Sequence, residues 1–463
     1  PDPMDINALD TVEIATNLEV EPVICSENDF EMLSNAIYGH SGVDEDVFAE
    51  FEDENPEAGA EDEEQELALD SLADMAEQAP VIRMVNSILT QAVRDKASDV
   101  HISPERDYVH VRYRIDGKLR VVPGPPKSIF LPLVSRIKIM ANMDIAVSKL
   151  PQDGRFSFQA QNREFNVRVS SLPTIYGENI VMRLLDKSAQ GLGLDELGLV
   201  GSDMKKLSGA VAKPYGMILA AGPTGSGKST TLYSILRRIN QPDINIITLE
   251  DPVEYRVDKI RQVQLNRKAG MTFASGLRTI LRQDPDVILV GEIRDDETAK
   301  IAVQASLTGH KVLSTLHTND AAGSITRLIE MGVEPYLVAS TLLVSVSQRL
   351  VRKNCTHCME TYDPPEHLLK AFGIAHLRDK VEFKRGTGCP RCGQTGYRGR
   401  AAVFEILPIN DMVQDMILSR ASAAEIGRAA VRAKLLRTLK LDGASKVVKG
   451  VTTLEEAAGT IMT

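Results

Sequence analysis

The stretch GPTGSGKST, residues 222–230, combines glycines, a lysine and hydroxyl side chains at a spacing that suits phosphate binding. It follows the apolar run GMILAA and precedes STTLYSILRRI, whose apolar residues recur at helical spacing. In a strand–loop–helix unit of this kind, glycines let backbone N–H groups turn toward phosphates, Lys228 reaches the β- and γ-phosphates, and the Ser229 hydroxyl binds Mg²⁺. The predicted nucleotide-binding residues are Gly222, Pro223, Thr224, Gly225, Ser226, Gly227, Lys228, Ser229 and Thr230.

Hydrolysis of a nucleotide also needs a carboxylate beside the metal and the attacking water, and two stretches offer one. DPDVILVGEIRD is an apolar strand that ends in Glu292, with Gly291 where such a motif usually has an acid. ITLEDPVEY is a strand that ends in Glu250, Asp251 and Glu254. Three carboxylates this close need a cation or a proton to coexist, which Mg²⁺ offers. Taken alone, the first stretch is equally consistent with an ordinary buried strand and a capping Glu.

The stretch LTGHKVLSTLHTND places His310 and His317 at the two ends of a short apolar run. A lone histidine is more often a structural group than a sensor, so spacing alone does not separate the two roles.

Four of the five cysteines form two C-x-x-C motifs, CTHC and CPRC. Thiolates at this spacing close a tetrahedral Zn²⁺ site that has no open coordination position, so the metal would be structural rather than catalytic. Disulfides are the alternative, disfavoured because the chain has the character of a cytosolic protein. The predicted zinc ligands are Cys355, Cys358, Cys389 and Cys392, while Cys25 stands alone and is expected to be a small buried apolar residue.

The net charge of −11 conceals an uneven distribution along the chain. No Lys or Arg precedes Arg83, whereas 25 of the 64 Asp and Glu residues do. The basic residues of the remaining chain are scattered, and there is no Trp, so we expect no nucleic-acid partner. The longest apolar runs are far shorter than the roughly 20 residues that cross a bilayer. We therefore expect a cytoplasmic protein, with docking on a membrane protein left open.

Composition and periodicity divide the chain into seven segments. The acidic stretch VDEDVFAEFEDENPEAGAEDEEQE lacks a lasting apolar period and is typical of a flexible tether, while the leading PDPMD suggests that the natural start is missing. Apolar strands alternate with helices after the phosphate loop, which predicts a parallel α/β sheet. The predicted segments are the remnant of an α/β docking module (1–42), an acidic linker (43–78), an α+β domain (79–187), a linker (188–200), the nucleotide-binding core (201–352), a zinc-binding insert (353–408) and a helical subdomain (409–463).

The order of GPTGSGKST, EDPVEY, DPDVILVGEIRD and TGHKVLSTLHTND resembles the secretion and pilus assembly ATPases over nearly the whole chain. The resemblance implies a RecA-like ATPase domain preceded by a PAS-like domain, with ATP as the nucleotide. It implies that Glu292 polarises the attacking water, that Glu250 and Glu254 assist the metal site, and that His317, more than His310, senses the γ-phosphate.

The resemblance also implies a clamp of two arginines from the preceding domain. FNVRVSSLP and ENIVMRLLD match the corresponding motifs and give Arg168 and Arg183, which would hold developing phosphate charge as an arginine finger does. Ion pairs at a sheet edge are the alternative explanation of these two residues.

Details such as MTFASGLRTILRQDPD resemble type II secretion motors more than pilus assembly motors, and the cysteine insert is typical of both but not of pilus retraction motors. The resemblance implies a hexameric ring at the cytoplasmic face of the bacterial inner membrane. An inner-membrane platform protein and a membrane protein with a cytoplasmic arm would be its partners. The alternatives are a pilus assembly motor, a DNA translocase and a scaffold that binds nucleotide without hydrolysing it.

Overall fold

The computed structural model describes residues 75–187 and 191–462. The predicted docking module and almost all of the predicted acidic linker lie outside these residues, as does Cys25. Within them, no helix is both long and apolar enough to span a bilayer.

The first domain is an antiparallel sheet of six strands in the order β3-β2-β1-β6-β5-β4, covered on one face by two helices. Helix α1 begins with a proline in its first turn, a position where the missing N–H costs nothing. The elements are α1 (Ala79–Arg94), β1 (Asp99–Pro104), β2 (Val109–Ile115), β3 (Lys118–Val122), α2 (Phe130–Met140), β4 (Gln152–Ala160), β5 (Arg163–Thr174) and β6 (Gly177–Asp186).

Apolar and polar residues alternate along these strands, so one face of the sheet is apolar and buried and the other is polar. Strand β2, VHVRYRI, buries Val109, Val111 and Tyr113, and the intervening residues point to the other side. On this polar face Arg168 of β5 lies opposite Arg183 of β6, which in turn lies opposite Asp99 of β1. The register therefore brings the two predicted clamp arginines side by side.

The second domain is built on a seven-stranded sheet in the order β15-β12-β7-β11-β10-β8-β9. All pairs except β15 with β12 are parallel, and β7, β8, β10 and β11 are buried along their whole length, as expected for strands covered on both faces. The elements up to β12 are α3 (Gly201–Ala212), β7 (Gly216–Ala221), α4 (Lys228–Ile239), β8 (Ile246–Glu250), β9 (Arg261–Gln264), α5 (Phe273–Ile280), β10 (Val287–Val290), α6 (Asp296–Leu307), β11 (Lys311–Leu316), α7 (Ala321–Glu330), α8 (Pro335–Thr341) and β12 (Leu342–Asn354).

The cysteine-bearing segment is inserted between the last two strands of this sheet. It contains β13 (Met359–Thr361), α9 (Glu366–Phe372) and β14 (Lys384–Gly386). Strand β15 (Tyr397–Pro408) pairs with β12 and is the edge strand of the large sheet, although it falls within the predicted 353–408 insert. The chain ends in α10 (Asp411–Leu418), α11 (Ala423–Arg432), α12 (Leu439–Val448) and α13 (Leu454–Ile461).

Candidate active site

The phosphate loop connects the end of β7 to the start of α4. Gly222, Gly225 and Gly227 have φ values of 141°, 76° and 90°, which favour glycine. Lys228 Nζ donates to the carbonyl oxygens of Gly222 and Pro223 at 2.7 and 3.0 Å. Burial and the neighbouring Arg349 lower the pKa of Lys228 to about 8, against the opposing attraction of Glu292. The ammonium is therefore held within the loop and close enough to Glu292 to feel its charge.

Glu292 and His317 follow the carboxyl ends of the neighbouring parallel strands β10 and β11. Glu292 Oε2 lies 3.5 Å from His317 Nε2 and 2.6 Å from Arg294 Nε. The Glu292 side chain is only 13% exposed, so its carboxylate lies inside the site. His310 is at the opposite end of β11, where its Nδ1 contacts the carbonyl of Ala305 at 3.0 Å. The structure thus brings His317, but not His310, next to Glu292.

Close packing explains why position 291 is a glycine, Gly291, and not the acidic residue usual in this motif. A Cβ at this position would lie 3.3 Å from both Glu250 Cα and the Leu249 carbonyl oxygen of neighbouring β8. The backbone of Gly291 also donates to Leu249 O at 2.8 Å. The close approach of β10 and β8 therefore leaves little room for a side chain before Glu292.

The predicted carboxylate cluster after β8 is divided by the structure. Glu250 is buried and accepts hydrogen bonds from Thr248 Oγ1 at 2.5 Å and from the Tyr233 hydroxyl. Burial raises the pKa of Glu250, although these hydrogen bonds oppose the shift. Asp251 and Glu254 both line a cleft between the two domains, where Asp251 pairs with Arg267 at 2.6 Å. The buried Glu250 is thus separated from the other two carboxylates.

This interdomain cleft has a volume of about 1360 Å³ and is where the two predicted clamp arginines lie. Arg168 reaches across it and donates to the carbonyl of Val253 at 2.9 Å. Arg183 donates to Asp99 at 2.9 Å, and the negative charges of Asp99 and Glu254 help to raise its pKa. Among the described residues, the cleft lining includes neither Lys228 nor Glu292. The arginines are therefore beside the Asp251–Glu254 segment rather than on the phosphate loop.

The four predicted zinc ligands converge on one point, with all four Sγ atoms within 4.8 Å of one another. Three sulfur–sulfur distances are 3.7, 3.8 and 3.9 Å. A tetrahedral ZnS₄ centre with bonds of about 2.3 Å requires sulfurs about 3.8 Å apart, so the geometry fits zinc. Burial works to raise the pKa of Cys392, but N–H groups of Cys389 and Gly396 help to lower it to about 7.

The segment that carries the second cysteine pair and the start of β15, residues 389–400 and here called the cysteine knuckle, also contacts the first domain. Asp116, in the turn between β2 and β3, accepts the N–H of Gly399 at 2.7 Å. Arg120 of β3 donates to Thr395 Oγ1 at 3.3 Å and to the Cys392 carbonyl at 3.5 Å. The two domains are therefore joined at the knuckle as well as at the cleft.

Gln348 and Arg349 of β12 border the phosphate loop, although neither residue was predicted from the sequence. Gln348 bonds to Ser226 and Thr231, and Arg349 donates to the carbonyl of Asn319, two residues after His317, at 3.0 Å. The available signal was a polar pair inside the apolar run LLVSVSQRLV. A polar pair in a buried strand requires partners, and here one of them is the phosphate loop.

Together, the parallel sheet, the phosphate loop after β7 and the acidic residue after β10 define a P-loop ATPase. The family model described as Type II/IV secretion system protein matches residues 74–459, and the chain belongs to this family. Membership in this family makes the chain an ATP-hydrolysing enzyme.

Two relatives and one solved structure illustrate the similarity. Type II secretion system protein HxcR of Pseudomonas aeruginosa is 49% identical over 83% of this chain and 78% of its own length. Type IV pilus assembly ATPase PilB of Myxococcus xanthus is 42% identical over 99% of this chain and 81% of its own. The structure of the Legionella pneumophila ATPase DotB, 23% identical, covers 80% of this chain and 93% of its own with a TM-score of 0.60, which shows the same fold.

Proposed function

We propose that this chain is the ATPase motor of a type II secretion system. The observation that carries the proposal is the meeting of Glu292 and His317 at the ends of β10 and β11, beside a phosphate loop whose Lys228 feels the Glu292 charge. Relatives named as type II secretion proteins support the choice of machine. A chain that only bound nucleotide would not need this carboxylate.

The chain's own residues divide the work of hydrolysis. The backbone N–H groups of the loop and Lys228 hold the phosphates, and Ser229 would hold Mg²⁺, which neutralises phosphate charge when bound. Glu250 and Glu254 would assist this metal once the cleft closes on the loop, because Glu254 lines the cleft and Glu250 is hydrogen-bonded to Thr248 and Tyr233. Glu292 accepts the proton of a water molecule whose oxygen attacks the γ-phosphorus while the bond to the ADP oxygen breaks. His317, 3.5 Å from Glu292, orients that carboxylate and reports the γ-phosphate.

Arg168 and Arg183 couple this chemistry to movement. They belong to a separate domain that borders a large cleft, so ATP would attract the arginines and draw the first domain toward the loop. Loss of the γ-phosphate would release them. A hexameric ring of such chains at the cytoplasmic face of the membrane would transmit these domain movements. Its partners would be an inner-membrane platform protein and a second membrane protein.

The four cysteines would bind Zn²⁺ as a structural ion. Their spacing matches a closed tetrahedral site, which leaves no position for water or substrate. Zinc therefore has no part in hydrolysis and instead holds the segment between β12 and β15.

Pilus assembly is the second candidate, favoured by the match to PilB over 99% of this chain. Complementation separates the two functions. The gene and its Lys228→Ala variant would be returned to deletion strains of a host that has both machines, and export and surface pili would be measured. Restored export without pili supports the proposal, and restored pili without export overturns it in favour of pilus assembly.

A further inference from the structure

Gln348 is a buried polar residue beside the nucleotide site, and the proposed chemistry does not use it. Its side chain is 1% exposed and lies in β12, between the phosphate loop and the first turn of α4. We propose that Gln348 is a positioning residue that sets the orientation of the Ser226–Gly227 peptide for phosphate binding. This inference rests on the proposed function and adds a residue to its nucleotide site.

The Gln348 amide makes two hydrogen bonds in opposite directions. Its Nε2 donates to the carbonyl oxygen of Ser226 at 2.7 Å, and its Oε1 accepts from Thr231 Oγ1 at 2.8 Å. Because a carbonyl oxygen can only accept, the amide nitrogen must face Ser226, and this fixes which way the amide lies. One side chain thus ties the loop to the helix that follows it.

The orientation of this peptide matters for phosphate binding because a trans peptide points its C=O and its N–H in opposite directions. With the Ser226 carbonyl held toward β12, the N–H of Gly227 is directed away from β12. N–H groups at the start of a helix that follow a glycine-rich loop are the groups that bind phosphate. Gln348 therefore selects the peptide orientation that presents this donor.

Two glycines of the phosphate loop leave room for the close approach of Gln348. A Cβ on Gly227 would lie 2.9 Å from Gln348 Nε2, and a Cβ on Gly222 would lie 2.6 Å from the Gln348 carbonyl oxygen. Both separations are shorter than real Cβ contacts, so β12 approaches the loop as closely as glycine allows. These glycines serve the packing of β12 as well as the approach of phosphate.

The test measures MgADP affinity by calorimetric titration of the full chain. Gln348→Met keeps the length of the side chain and removes both hydrogen bonds, whereas Gln348→Glu keeps the acceptor and loses the donor to Ser226. Thr231→Val is the matched control, because it removes the other end of the same buried contact and leaves the loop bond in place. Melting temperature without nucleotide is recorded for each variant.

We expect both Gln348 variants to bind MgADP about tenfold more weakly and Thr231→Val to stay within about threefold of the parent chain. The KM for ATP should rise in the same proportion, while kcat at saturating ATP should stay within about threefold, the pattern of lost ground-state binding. The inference is overturned if the Gln348 variants lower melting temperature but keep parental affinity, or if Thr231→Val weakens binding equally. A parent chain that binds no MgADP would remove the proposed nucleotide site itself, which is a different outcome from unaffected variants.

Discussion

Replacing Arg183 tests whether this residue clamps phosphate or only forms an ion pair. Its Nε lies 2.9 Å from Asp99 Oδ1, and its side chain is 60% exposed. Asp99 is only 7% exposed and keeps Arg114 at 3.7 Å, so losing Arg183 should lower the free energy of unfolding by about 1–3 kcal/mol. An arginine that stabilises a transferring phosphoryl group acts on the reaction rate instead, and with Arg168 retained we expect Arg183→Gln to lower kcat roughly 10²- to 10³-fold.

The matched control is Arg163→Gln in the same domain. Arg163 pairs with Asp186 at 3.0 Å and is 41% exposed, but it does not line the cleft. Urea unfolding should show losses of at most about 3 kcal/mol in both variants, the larger in Arg183→Gln because Asp99 is the more buried carboxylate, whereas ATP turnover at saturating ATP should fall only in Arg183→Gln. If both variants fold and Arg183→Gln loses no more activity than Arg163→Gln, Arg183 only forms an ion pair and the proposed clamp is wrong.

Three further predictions concern other parts of the chain. His317→Asn should slow turnover about 10- to 100-fold while His310→Asn does not, and equal rates would contradict the assignment. Chelation should release zinc and raise hydrogen exchange at the amide of Gly399, and unchanged exchange there would count against a metal that shapes this contact. Burial works to raise the pKa of Glu456, but Arg352, 2.6 Å away, lowers it overall. The carboxylate therefore contributes stability above its ordinary pKa of 4.5, and this stability is lost as pH falls through the lowered pKa. Glu456→Gln should therefore cost about 1–3 kcal/mol at pH 7 and progressively less as pH falls below 4.5 by urea unfolding, and a constant difference would refute the linkage.

Local patterns were enough to find the phosphate loop, the acidic strand end and the cysteine cluster. Each consists of a short motif, and in two cases the motif follows a buried apolar strand whose direction fixes where the motif lies. The resemblance favoured His317 over His310, and the structure places His317, but not His310, beside Glu292. The roles of these residues in hydrolysis stay predictions.

Features that depend on distant parts of the chain could not be predicted in the same way. Gln348 meets Ser226 across 122 residues, and Asp116 meets Gly399 across 283. Strand β15 joins the large sheet by pairing antiparallel with β12, from which it is separated in sequence by the cysteine-bearing segment. Neither periodicity nor spacing reports such pairings, since they are set by the topology of the sheet.

The most direct test of the central claim is ATP hydrolysis by the chain and by Glu292→Gln, measured over a range of protein concentrations, with MgADP binding recorded for both. The rate per chain should rise with concentration as subunits assemble, and Glu292→Gln should bind MgADP normally but have lost hydrolysis. A variant as active as the parent chain would contradict this claim, because Glu292 would not be the catalytic carboxylate and the site would have to be rebuilt around Glu250 and Glu254.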